Sequence, residues 1–278
     1  GNASATSQQN ATGVWSNGYK ASWHLADPAT PVDSKGVYNG TNHGATAITG
    51  KVGGAGNFSG SSTWISTLMN DLPTSDLSLE FWANEDAANG GRIFGYENQT
   101  NGTHGLGLYF PAVTTPTVIM RNNGANYDMG WGTITTGSWN KYAITISATT
   151  GTKLYLNGSQ VNSNVSALAY SSASVSFHIG SAGNETVNFK GLLDEFNISS
   201  SARSADWIAT EYNNQNSPET FESFGMEASG ASYASPTAIG GGIIDTTWNG
   251  GWGTINGFAS TVTIPTNTSI LYQMRSSA

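Results

Sequence analysis

The sequence predicts an all-β chain, with an antiparallel β-sandwich over residues 13–215 and a small β-rich module over 216–278. Three observations carry this. Short runs alternate apolar and polar residues with the period of about two that a half-buried strand needs, Gly, Asn and Pro separate them, and a single segment has helical spacing. At 278 residues the chain can bury one large sandwich and a lesser second unit.

Taken in order, residues 1–12 are small and polar and read as a flexible arm. Strands are expected at 21–25, 77–83, 92–96, 105–110, 117–121, 139–147, 153–156, 174–179 and 191–198. Ser78-Leu-Glu-Phe-Trp-Ala83 and Lys141-Tyr-Ala-Ile-Thr-Ile-Ser147 carry the alternation most clearly. Asn157-Gly158 supplies a tight hairpin turn. Ser204 can cap a helix running to Tyr212, with Trp207, Ile208 and Glu211 at helical spacing. Residues 213–218 end the sandwich, and the Gly- and Ser-rich stretch beyond has candidate strands at 260–264 and 269–275. So few apolar anchors make a poor independent core, so the module is either truncated or completed by a strand from the sandwich or a neighbouring copy.

Asp, Glu, Lys and Arg make up only 10% of the chain, so neutral Gly, Ser, Thr and Asn must provide solubility, as on many exported proteins. Eighteen acidic against ten basic residues give a net charge of -8, with no basic cluster to meet a phosphate backbone or an anionic membrane. Nucleic acid is thereby excluded as a partner, while excess carboxylates suit calcium. No apolar run approaches the ~20 residues that span a bilayer, and no signal peptide opens the chain, which implies a removed leader or a trimmed start. With no cysteine, disulfides, thiolate metal sites and a cysteine nucleophile are ruled out. Asn10, Asn39, Asn98, Asn101, Asn157, Asn184 and Asn267 each open an Asn-x-Ser/Thr sequon, so glycosylation is possible on an exported chain.

The run Asn188-Phe-Lys-Gly-Leu-Leu-Asp-Glu-Phe-Asn-Ile-Ser199, with Ser201-Ala-Arg-Ser-Ala-Asp-Trp-Ile208 after it, resembles the closing strand and tail helix of laminin-G-like, concanavalin-A-type jelly-roll domains of prokaryotic surface proteins, the kind found after DUF2341 segments. Gly13 to Leu25, Leu79-Glu-Phe-Trp82, Trp139 to Ile144 and Thr152 to Gly158 follow in that family's order, covering about residues 13–215. Val37 and Tyr38 stand where the family carries Asn and Asp. The resemblance implies a secreted or cell-surface binding module. It also implies a structural calcium at Asp194, with Asp27 and Asp33 in the loop that would reach it. The alternative for Asp194 is a turn cap that accepts backbone N–H bonds.

For ligand recognition, the loop 122–131 combines glycines, amides and two aromatics. Asn126, Tyr127, Asp128 and Trp131 could hold a glycan by stacking on ring faces and bonding hydroxyls, or Trp131 could fold back over the core. Trp64, Tyr96, His104 and Tyr109 form a looser second set, for which strand packing is the plainer account. Glycosidase chemistry needs two opposed carboxylates. Glu80 stands between apolar neighbours, Glu85 and Asp86 fall in the following turn, and the adjacent Asp194 and Glu195 should face opposite ways. The sequence therefore predicts a non-catalytic extracellular adhesion module for a glycan or surface polymer. The alternative is a structural subunit that assembles into a filament or surface layer, with a strand such as 269–274 pairing between copies.

Overall fold

The computed structural model describes residues 10–86, 90–97, 104–110, 115–165, 170–171, 175–183 and 187–221. The strands expected at 260–264 and 269–275, and with them the pairing between copies, lie outside the described residues. In chain order the strands are β1 (Tyr19–Trp23), β2 (Gly40–His43), β3 (Thr46–Thr49), β4 (Gly54–Ser59), β5 (Trp64–Thr67), β6 (Leu77–Glu85), β7 (Arg92–Glu97) and β8 (Gly105–Tyr109). They continue as β9 (Thr117–Asn122), β10 (Ala125–Asn126), β11 (Met129–Gly130), β12 (Trp139–Ser147), β13 (Gly151–Leu156), β14 (Ser159–Asn164), β15 (His178–Ile179) and β16 (Lys190–Ser199). Among the described residues three helices accompany them, α1 (Ala11–Val14), α2 (Ala205–Asn216) and α3 (Pro218–Phe221). The turn of helix in α1 begins inside the stretch expected to be a flexible arm.

Two antiparallel sheets form the sandwich. The first runs β14-β13-β12-β6-β16-β4-β3, with β1 also on β16, and the second runs β10-β9-β8-β7-β15-β5-β2, with β11 on β9. Their inner faces share one core, where Phe81 stacks on Phe196 at 4.8 Å and Phe94 on Phe177 at 5.5 Å. Each such ring removed from water is worth ~1.5–3 kcal/mol, so this aromatic core is a main source of stability. Asn157 and Gly158, at φ 50 and 79, make the β13–β14 turn, with both residues in the left-handed region that the Asn-Gly pair tolerates. The β6 strand extends through Glu85, one residue pair beyond the expected end, because the ladder with β12 and β16 continues to that level.

Two bulges re-aim side chains. In β7 the pairing steps from Arg92 opposite Tyr109 to Phe94 opposite Leu108, so Arg92 and Glu97, five apart, share the outer face and pair at 2.8 Å. In β16 the register shifts between Asp194 and Asn197, with Glu195 left-handed at φ 49. Strict alternation fails at both points.

Candidate functional site

The outer face of the first sheet is divided in two. Helix α2 covers one half. Ser204 caps it by accepting from the Trp207 N–H at 3.2 Å, and Ile208 packs on Ala143 and Tyr155. The helix runs four residues past the expected Tyr212, and those residues are used, because Gln215 accepts from Lys141 Nζ at 2.8 Å and from the Trp82 indole. Lys141, 1% exposed, also donates to Glu211 at 2.7 Å. Glu80 lies beneath the same helix with its Oε2 3.9 Å from Lys141 Nζ. Burial and the Glu211 charge raise the Glu80 pKa far above the carboxylate range; burial opposes ionisation of Glu211 too, but the Lys141 charge outweighs it and lowers that pKa. The result is a protonated acid, a carboxylate and an ammonium sealed in one layer. This opposed acid pair escaped the sequence reading because its second member comes from the helix.

The other half is open. Asn57 lies opposite Leu192, Leu192 opposite Asn84 and Asn84 opposite Trp139, all four half-buried on the outer side, since Phe58, Leu193 and Ala83 between them belong to the core. Asn57, Leu192 and Asn84 line a cleft of about 610 Å³ with Ser59, Asp86 and Lys190 in the next row, where Lys190 Nζ meets Asp86 Oδ2 at 2.8 Å. Thr136 and Gly137 border it, the Gly137 N–H donating to the Glu85 carbonyl at 2.8 Å. The Glu85 carboxyl points the other way, toward Tyr142 and Asn140, and burial pushes its pKa up to about 7. Of these cleft residues sequence reasoning named only Glu85 and Asp86, as carboxylates in a turn, and it missed Asn57, Asn84 and Leu192, although Asn84 shares its alternation phase with Glu80 and Trp82.

Between the halves sits Asp194, beside Trp82 in the ladder and beneath the Gly50–Gly53 turn. Its Oδ2 accepts from the Val52 N–H at 2.8 Å, its Oδ1 is buried with no hydrogen-bond partner, and burial pushes the carboxyl up to about 7. A Cβ on Gly50 would lie 2.5 Å from Oδ2 and 2.8 Å from the Gly54 carbonyl oxygen, so glycine leaves a small oxygen-lined cradle. Asp194 with backbone oxygen therefore suits a hard cation. Asp33 is placed differently: buried, its carboxylate accepts from the N–H groups of Ser22, Lys35, Val37 and Tyr38 at 2.9–3.2 Å, which occupies the oxygens a metal would need. Asp27 is exposed and caps its own turn through Ala29 and Thr30. Among the described residues no three His, Asp or Glu side chains are grouped to hold a metal.

This division of one sheet face sits in a sandwich whose sequence carries a family signature. A profile of the family described as Concanavalin A-like lectin/glucanases superfamily matches residues 59–209. The chain belongs to that superfamily. Among solved structures, this concanavalin A-like domain is similar to domain 4 of AbnA, an extracellular GH43 arabinanase from Geobacillus stearothermophilus solved in complex with arabinotriose. Identity is 22% over 69% of this chain and 96% of that one, with a TM-score of 0.57. It is also similar to the binding domain of Paraclostridial Mosquitocidal Protein 1, with 15% identity over 74% of this chain and 53% of that one, TM-score 0.59. A third likeness is to botulinum neurotoxin type C, whose cell entry depends upon interaction with two ganglioside molecules, with 11% identity over 72% and 51% of the two chains, TM-score 0.55. The chain thus spans about half the length of these toxin structures. No curated protein sequence matches it.

The concanavalin A-like frame also locates the loop that sequence reasoning favoured. Asn126 ends β10, Tyr127 is 37% exposed, and the Asp128 carboxylate is paired with Arg121. Trp131 is not beside them at the surface. It is 3% exposed, its indole N–H donates to the Tyr155 carbonyl at 3.0 Å, and its ring meets Tyr142 edge-on at 5.4 Å. A ring so enclosed is core, so of the four only Asn126, Tyr127 and Asp128 can meet a ligand. In the looser set, Tyr96 is buried and bonds the Asn70 carbonyl, while Tyr109 carries Arg92 over its ring at 4.9 Å. Trp64 stacks on His43 at 4.5 Å, and His104 meets the Ser171 hydroxyl at 2.5 Å. Among the described residues no helix is long and apolar enough to cross a membrane.

Proposed function

We propose that the chain is a non-catalytic carbohydrate-binding module that acts outside the cell, and that the open half of the first sheet is its binding face. The observation that carries this is the row Asn57–Leu192–Asn84, two amides with half-exposed side chains flanking an apolar one on rigid strands. Sugars present alternating hydroxyl and C–H surfaces, so amides that donate and accept beside an apolar floor match them. The likeness to an arabinanase domain solved with arabinotriose and to a ganglioside-dependent toxin supports a sugar ligand. Hydrolysis is disfavoured because Glu80 and Glu211 are sealed under α2, Asp86 is paired with Lys190 and Glu85 faces away from the cleft. Binding to a glycan array by the intact chain, lost in Asn57→Ala/Asn84→Ala with unchanged thermal unfolding, is the expected outcome. Release of reducing sugar from a bound glycan would replace this function with an enzymatic one.

Calcium belongs to the same proposal as a structural ion at Asp194, held with backbone carbonyls of the 50–54 turn and water, without Asp27 or Asp33. Its effect would be to fix the turn that borders the binding face. Added calcium should raise the Tm, by about 2.7 kcal/mol of stability at a hundredfold excess over Kd, and Asp194→Asn should abolish the increase. A Tm indifferent to calcium and to chelator removes the ion from the proposal and leaves the glycan face standing.

A further inference from the structure

We infer that the ligand is a neutral, unbranched oligosaccharide bound by its interior and laid across the strands, with successive sugar units meeting successive side chains of one cross-strand row. This rests on the carbohydrate-binding function above and names the class of sugar. The row is longer than the cleft. Thr46 on β3 lies opposite Asn57, so Thr46, Asn57, Leu192, Asn84 and Trp139 form an uninterrupted series over β3, β4, β16, β6 and β12. Neighbouring strands lie about 4.8 Å apart, so the series extends roughly 19 Å, enough for about four sugar units in an extended chain.

The chemistry of the row selects among sugars. All five side chains are neutral, in the order hydroxyl, amide, aliphatic, amide, aromatic. The two amides recur at alternate strands, about 10 Å apart, as a repeating polymer requires and a single terminal sugar does not. Trp139, half-buried at the end of the row, is the aromatic side chain against which a sugar ring would stack in this arrangement. The bordering cations are already engaged: Lys190 with Asp86 at 2.8 Å, Lys51 with Asn216 at 2.9 Å and over the Trp82 ring, and Lys141 with Glu211. A uronic acid or sulfated chain would find no uncommitted positive charge among them, and it would meet Asp86 and the net charge of -8. A cationic sugar would find the bordering Asp86 already committed to Lys190. The neutral chain is the one that brings no charge to be desolvated without a partner.

The test is titration of the intact protein, followed by tryptophan fluorescence and calorimetry, with neutral unbranched oligosaccharides of two to six units. An array of acidic and branched glycans at matched lengths is the comparison. Affinity for the neutral series should rise at least tenfold from two units to four and then level off, and reduction of the terminal sugar should change it less than twofold. Trp139→Ala should flatten the length dependence, while Trp139→Phe restores most of it and checks that the fold survives. Binding that is independent of length, abolished by terminal reduction or tighter for acidic chains overturns this inference and leaves the carbohydrate-binding function intact. Failure of every glycan to bind overturns both.

Discussion

The two halves of one sheet face are made of the same strands yet solve opposite problems. Under α2, β6 and β12 present Glu80, Trp82 and Lys141, and every charge is answered from the helix by Glu211, Gln215 or a buried proton. A few residues further along, Asn84 and Trp139 of the same strands and Leu192 of β16 lie on the outer side, half-buried, with no helix residue bonded to the Asn84 amide among the hydrogen bonds of the described residues. The covered half encloses its charges, whereas in the open half the Lys190–Asp86 pair is exposed and the cross-strand row beside it is neutral. The reason is energetic: a buried ion pair must be complete to be tolerable, whereas an exposed amide costs little and is free to exchange water for a hydroxyl.

The largest expected difference comes from Glu211→Ala, which leaves the Lys141 ammonium buried without its carboxylate. It should lose about 3–5 kcal/mol, read as a fall of roughly 2–4 °C in Tm per kcal/mol for a domain of this size. A loss within experimental error would mean that the covered half is hydrated and not sealed. Next, Ile208→Ala, which empties the contact between α2 and Ala143 and Tyr155, should cost about 2–4 kcal/mol by chemical denaturation.

A smaller effect should follow pH. Glu85, raised from 4.5 to about 7, and Glu80, raised in the same direction, keep their protons in the folded chain at pH values where the unfolded chain has released them. Stability from these groups is therefore full below the ordinary carboxylate pKa and declines as pH rises from that range through about 7. Glu211, lowered, acts with the opposite sign and only in more acid solution. The denaturant midpoint should be lower at pH 8 than at pH 5, and Glu85→Gln with Glu80→Gln should flatten the slope. Smallest of all, Asn57→Ala/Asn84→Ala in the open half should change stability by less than about 0.5 kcal/mol, even as it removes glycan binding. If that pair proved costly to folding, the open half would be structural and the contrast between the halves would collapse.

Much of the fold was legible from alternation. Strands β6 and β12, the Asn157-Gly158 turn and the Ser204 cap all follow from local chemistry that the tertiary structure only confirms. The strands between Gly40 and Thr67 were not legible, because Gly, Ser, Thr and Asn in runs of four to six give no apolar phase to read. Bulges hid more. Arg92 and Glu97 have opposite parity in the sequence but meet on one face once β7 gains a residue, and Asp194 and Glu195 are turned by the left-handed backbone at Glu195. The proposed binding face was missed for a different reason. Its row is assembled from five strands scattered from Thr46 to Leu192, so no window of sequence contains it, whereas the compact loop ending at Trp131 drew notice although its indole is spent on Tyr155.

The sandwich also has a particular way of bearing load. Tyr19 lies opposite Ser199, and the Ser200 N–H donates to the Gly18 carbonyl, so the chain enters and leaves through adjacent rungs of one ladder. Traction applied at those two points would open β1 from β16 like a zip, one rung after another, instead of shearing all rungs together. Arg203, wedged over Tyr19 and Trp207, and the helix that follows stand in front of that ladder, so a tug arriving from beyond Phe221 is met first by α2 and its clamp on Lys141. Under such a pull the helix would act as the fuse that yields before the ladder does.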